Sequence, residues 1–96
     1  MREFVIDGQQ MLTPDQMYNH LSELIWFPDY FGHNLDALYD VLSEVSDFTI
    51  IHFIHTDIFL AEMKKEGFKL IRVFRLLEHQ TDNYQVNFYP NEMNEK

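Results

Sequence analysis

Ninety-six residues, 46% of them apolar and 16% aromatic, fit one compact domain with a real core and leave disorder only to the chain ends. The chain has no cysteine, which rules out disulfides and thiolate metal sites and agrees with a reducing compartment. A formal net charge of −9, from sixteen acids against seven bases, argues against nucleic acid or anionic membranes as partners and for a basic one.

In chain order, Glu3 to Asp7 alternates with Phe4 and Ile6 apolar and closes at Asp7-Gly8, the pattern of a short strand and turn. Thr13-Pro14-Asp15-Gln16 predicts a helix start, with Thr13 as N-cap, Pro14 at the first helical position and Gln16 placed for a capping box. Met17, Leu21, Leu24 and Ile25 recur at helical spacing, so this helix runs to about Ile25. Pro28 prevents its continuation. Trp26 to Gly32 is an aromatic, irregular stretch.

Asn34 is a good N-cap for a second helix over about Leu35 to Glu44. Phe48 to Ile54 is β-branched and aromatic and reads as a central strand. Thr56 can cap a third helix, from Asp57 to about Glu66, with Gly67 as its breaker. A fourth helix follows with Phe68, Ile71, Phe74 or Arg75, and Leu76-Leu77 as apolar positions. Tyr84 to Tyr89 alternates as a last strand after the Asp82-Asn83 turn. Strand, helices, strand, helices, strand predicts an α/β domain over residues 1–90, with a three-stranded parallel sheet and about four helices packed on one face and edge. Residues 91–96 are expected to fray. No run approaches the ~18 apolar residues of a membrane-spanning helix, and the N-terminus lacks the apolar core of a signal peptide.

Where the bases lie is more informative than how many there are. Between Arg2 and Lys64 there is no Lys or Arg, while that interval holds eleven acids. Placed at ~100° steps, Leu35, Leu38, Val41, Leu42 and Val45 fall on one broad face of the second helix. Asp36, Tyr39, Asp40 and Ser43 fall on the other, with Glu44 at its border. Like charges four apart cost a few tenths of a kcal/mol, and Glu44 lies near the unfavourable end of the helix dipole. A solvated helix face is the plain alternative. Exposed aromatics beside acids, Tyr30, Phe31 and Tyr39, instead suggest a binding patch for guanidinium-bearing surfaces.

The run Phe27-Pro28-Asp29-Tyr30-Phe31-Gly32-His33-Asn34-Leu35-Asp36-Ala37-Leu38-Tyr39-Asp40 resembles the signature of the barstar family, intracellular inhibitors of barnase-type ribonucleases. The resemblance implies a barstar-like fold and an inhibitor, not an enzyme, whose second helix and preceding loop plug a ribonuclease active site. It implies Asp40 as the central carboxylate in the substrate-phosphate position, Asp36 as its flank, and Tyr30, Asn34 and Tyr39 packing or hydrogen-bonding beside it. Phe31 stands where the family has a second tyrosine, and Tyr39 where tryptophan is common. The family's acid after Phe-Arg is Leu76 here, with Glu78 displaced by two residues. Ser43 and Glu44 extend the same face. The partner implied is a basic extracellular-type or toxin ribonuclease, bound 1:1 by a free monomer in the cytoplasm of the producing cell, as an immunity protein or antitoxin would be.

Other chemistry is thin. An acidic adaptor domain with a basic, non-nuclease partner is the main alternative. A hydrolase using Asp36 and Asp40 would need a deep cleft that one exposed helix face hardly provides. His52 and His55 sit three apart on a strand, hence on opposite faces, so no metal or other cofactor is expected. They read as a half-buried strand histidine and a helix-entry residue. Lys64, Lys65, Lys69, Arg72 and Arg75 read as solvated helical faces.

Overall fold

The computed structural model describes residues 1–24 and 34–92. The elements in chain order are β1 (Arg2–Asp7), a 3-10 turn (Gly8–Gln10), α1 (Pro14–Leu24), α2 (Leu35–Ser43), β2 (Thr49–Ile54), α3 (Thr56–Met63), α4 (Lys65–Gln80) and β3 (Tyr84–Phe88). The three strands form one parallel sheet in the order β1-β2-β3, with Phe4 opposite Ile51 and Ile51 opposite Val86. The α/β class, the parallel sheet and the four helices expected from the sequence are therefore observed.

Strand alternation sorts the side chains. Phe4, Ile6, Thr49, Ile51, Phe53, Tyr84, Val86 and Phe88 face the helices, while Glu3, Val5, Ile50, His52, Gln85 and Asn87 face the other way. Phe53 is the hub of the core. Its ring lies 5.1 Å from Phe59 of α3, 6.1 Å edge-on from Phe74 of α4, and 5.9 Å from Phe88. Burying one such ring contributes roughly 1.5–3 kcal/mol, so these contacts fix α3 and α4 against the sheet.

Local chemistry explains most of the boundaries. Thr13 Oγ1 accepts the Gln16 N–H at 3.2 Å, and Gln16 Oε1 accepts the Leu12 N–H at 3.0 Å. The expected capping box is present in a form shifted by one residue. The break between α3 and α4 corrects the sequence reading. It occurs at Lys64, which has a φ of 54°, and not at Gly67. Gly67 is buried inside α4, where a β-carbon would lie 3.0 Å from the Met63 side chain and 3.1 Å from Phe59. Its missing side chain lets α3 and α4 approach; it does not end a helix.

Two further expectations change. Thr56 is the first residue of α3, and its hydroxyl donates to the Tyr89 carbonyl at 3.1 Å instead of capping. In α4 the buried set is Gly67, Leu70, Val73, Phe74 and Leu77, whereas Phe68 is 60% exposed and Leu76 42%. The stripe is thus rotated from the predicted one. Asn91 is tied down, since its carbonyl accepts the His55 N–H at 2.9 Å. Residues 93–96 of the expected frayed tail lie outside the described residues.

Candidate functional site

α2 forms because Asn34 starts it and an apolar stripe anchors it. Asn34 Oδ1 accepts the Asp36 N–H at 2.8 Å and the Ala37 N–H at 3.2 Å, satisfying two otherwise orphaned donors. Leu38 and Leu42 are buried in the core, with Leu35, Ala37, Tyr39 and Val45 packed around them. The far end of the helix is held from β3. The Tyr84 hydroxyl donates to the Leu42 carbonyl at 2.7 Å, and the Asn83 amide donates to the Val45 and Asp47 carbonyls at 2.7 and 3.1 Å. Burial pushes the Tyr84 phenol up to about 12, against a small lowering by Arg2. It stays a neutral donor throughout the physiological range.

This anchoring leaves one row facing solvent. Asp36, Asp40 and Glu44 are all exposed. Among the described residues no Lys or Arg forms an ion pair with any of them; the Lys and Arg ion pairs there are Arg2–Asp47 and Lys69–Glu66, each at 3.4 Å. Asp36 shares a shallow depression with Asn34, Leu35, Tyr18, Glu66 and Lys69, so α4 borders the row at its N-terminal end.

The remaining predicted residues are placed less uniformly. Tyr39 is half-buried and packed against the core, so only part of its side chain is open to a partner. Ser43 is half-buried and donates its hydroxyl to the Asp40 carbonyl at 3.0 Å. Asn34 is exposed, but its carbonyl oxygen is committed to the cap. Tyr30 and Phe31 lie outside the described residues. Glu78 does not join this face. On α4 it sits about half a helical turn around from Lys69, and its carboxylate accepts the Val86 N–H of edge strand β3 at 2.6 Å.

Sequence reasoning passed over Tyr84 and Asn83, which position the helix. The inward place of Tyr84 in the alternation of β3 was the available signal. The histidines behave as read: His52 is half-buried on β2, and His55 enters α3 with φ 55°. His52 Nε2 meets Glu3 Oε2 at 2.6 Å and its Nδ1 meets the Tyr89 hydroxyl at 3.2 Å on the sheet's outer face. Among the described residues no group of three or more His, Asp or Glu could hold a metal, and no helix is long and apolar enough to cross a membrane.

Both a family model and a curated protein resemble the chain. The family model described as Barstar (barnase inhibitor) matches residues 1–91. A curated protein of Bacillus subtilis (strain 168), named "Putative ribonuclease inhibitor YrdF", is 42% identical over 43 residues. That stretch is 45% of this chain and 47% of the relative, so the match spans about half the length of each.

Proposed function

The chain belongs to the barstar family, and from that membership we infer that it inhibits a basic ribonuclease of the barnase type by occupying its active site with the outer face of α2. A nuclease cleft is cationic because it must hold phosphodiesters, so a carboxylate projected into it can stand in for the phosphate. Asp40 lies mid-row and fills that place; Asp36 and Glu44 flank it, one turn to either side. Asn34, Tyr39 and Ser43 border the row, and Tyr30 and Phe31 belong to the segment that leads into the helix. Glu78 stays outside this surface because its carboxylate is bound to β3.

One observation carries the reading: three exposed carboxylates on one helix face have no basic partner among the described residues. That arrangement costs the free protein a little and benefits only a complex. Long-range attraction speeds capture, and hydrogen-bonded charge pairs buried in the cleft slow release. The barnase–barstar pair follows the same electrostatic logic. The complex is 1:1, with the monomer as the binding species, and it protects the cytoplasm of the cell that makes the enzyme.

The test is RNA cleavage by barnase-type ribonucleases titrated with the chain, with Asp40→Ala and the off-face control Asp57→Ala, which changes net charge equally. Stoichiometric inhibition that is lost in Asp40→Ala and retained in Asp57→Ala supports the reading. Complex formation with unimpaired cleavage would favour an acidic adaptor instead, and turnover by the chain alone would favour a hydrolase.

A further inference from the structure

Five of the seven bases in this acidic chain are Lys64, Lys65, Lys69, Arg72 and Arg75, and four of these lie on α4. On the helix, Lys65, Lys69, Arg72 and Leu76 follow one another at spacings of four, three and four, forming a single outer row. All four are exposed. Lys65 and Arg72 have no acidic partner among the described residues, and Lys69 has only Glu66, at 3.4 Å and exposed. Arg75 stacks 5.0 Å over the Phe88 ring, to one side of the row. The molecule thus carries a basic row on α4, in which Lys65 and Arg72 lack acidic partners among the described residues and Lys69 has only an exposed one, as well as the acidic row on α2.

The two rows are neighbours and run the same way. At one end Asp36 lines the same depression as Glu66 and Lys69. At the other, the carbonyls of Leu42 and Val45 are held by Tyr84 and Asn83, which follow the C-terminus of α4 by only a few residues. Their lengths agree as well. At ~1.5 Å per residue, Asp36 to Glu44 spans about 12 Å and Lys65 to Arg72 about 10.5 Å.

We propose that the chain pairs with a second copy of itself about a twofold axis lying along the furrow between α2 and α4. Such an axis turns the α2 of each copy onto the α4 of the other while preserving height along the helices. Asp36 then meets the Lys65–Lys69 turn, Asp40 the Lys69–Arg72 turn, and Glu44 the Arg72–Leu76 turn, in both halves at once. The partner's α4 supplies the cations that α2 lacks, so the dimer covers the surface assigned above to the ribonuclease. Because exposed ion pairs are weak and screened, this is a reversible dimer of concentrated protein at low salt, and dilution frees the monomer. The inference rests on the chain's own charges and stands apart from the ribonuclease reading.

Sedimentation velocity of the full chain over a concentration series, at low salt and in about 1 M salt, tests it. The expected result is a concentration-dependent rise toward dimer at low salt that vanishes at high salt. Lys69→Glu/Arg72→Glu and Asp36→Lys/Asp40→Lys should each sediment as monomers. An equimolar mixture of the two should dimerise again, since each row then meets its opposite; circular dichroism shows that both variants are folded. A wild-type chain that stays monomeric at every concentration in low salt would overturn the proposal. So would a mixture of folded variants that fails to associate. Neither readout involves a ribonuclease.

Discussion

If the acidic row on α2 is uncompensated, removing its middle member should stabilise the free protein. Asp40→Ala relieves two like-charge neighbours at the four-residue spacing, Asp36 and Glu44, each worth about 0.2–0.5 kcal/mol on an exposed helix at low ionic strength. Alanine also exceeds aspartate in helix propensity by up to about 0.7 kcal/mol. Among the described residues no hydrogen bond is lost, because Ser43 binds the Asp40 backbone carbonyl and not its carboxylate. The expected gain is roughly 1–1.5 kcal/mol at low salt, a Tm increase of about 4–10 °C for a domain of this size. In about 1 M salt the Debye length falls to about 3 Å, and only the propensity part, near 0.5 kcal/mol, should remain. Thermal and urea unfolding in both buffers, with the concentration kept low so that only monomer is present, give the two numbers. A variant less stable than the parent, or one whose gain does not depend on salt, would refute the view that these charges oppose folding.

Four other outcomes follow from the packing and the titrating groups. In Gly8→Ala the new β-carbon would lie 2.3 Å from the His55 carbonyl oxygen and 2.8 Å from Phe59 Cβ, neither of which can swing aside; a loss near 3 kcal/mol is expected in urea unfolding. Gly67→Ala meets side chains at 3.0–3.2 Å and gains about 1 kcal/mol of helix propensity, so it should cost at most about 2 kcal/mol, clearly less than Gly8→Ala. The Tyr84 phenol, raised by burial to about 12 against 10.0 unfolded, contributes stability that is complete below pH 10 and lost as pH rises toward 12; Tyr84→Phe should be less stable at neutral pH by about 1 kcal/mol and lack that part of the alkaline decline. His20 is held below its usual value by burial, against the pull of Asp7 and Glu23, and its neutral Nε2 accepts the Asp7 N–H at 3.1 Å. Its contribution is present above pH 6.5 and is lost as pH falls through the lowered value, so unfolding between pH 7 and 5 should be less pH-dependent in His20→Gln than in the parent.

What the sequence discloses and what it hides divide along the range of the interactions. The start of α2 is legible because Asn34 acts on its own neighbours, and the carboxylate row is legible because helical phase alone places Asp36, Asp40 and Glu44 together. β1 and β3 are legible from their alternation, and β2 from its β-branched and aromatic run. The break at Lys64 is not, since a lysine at φ 54° carries no local signal and Gly67 imitates one. What decides there is the approach of α3 to α4, a tertiary requirement. The same holds for Phe68 and Leu76, whose apolar character suggests burial until Leu70, Phe74 and Leu77 claim the core. Glu78 binds the edge of β3 and Tyr84 latches α2 through bonds spanning 8 and 42 residues, which no window on the sequence can display.

In the proposed complex the α2 carboxylates meet the cations of a ribonuclease cleft. The most direct measurement is the association rate constant of the chain with a barnase-type ribonuclease, by stopped flow across a salt series, for the parent and for Asp36→Ala/Asp40→Ala. The expected result is a steep fall with salt in the parent, and a shallower slope with faster dissociation in the variant. Equal slopes and equal dissociation rates would contradict it.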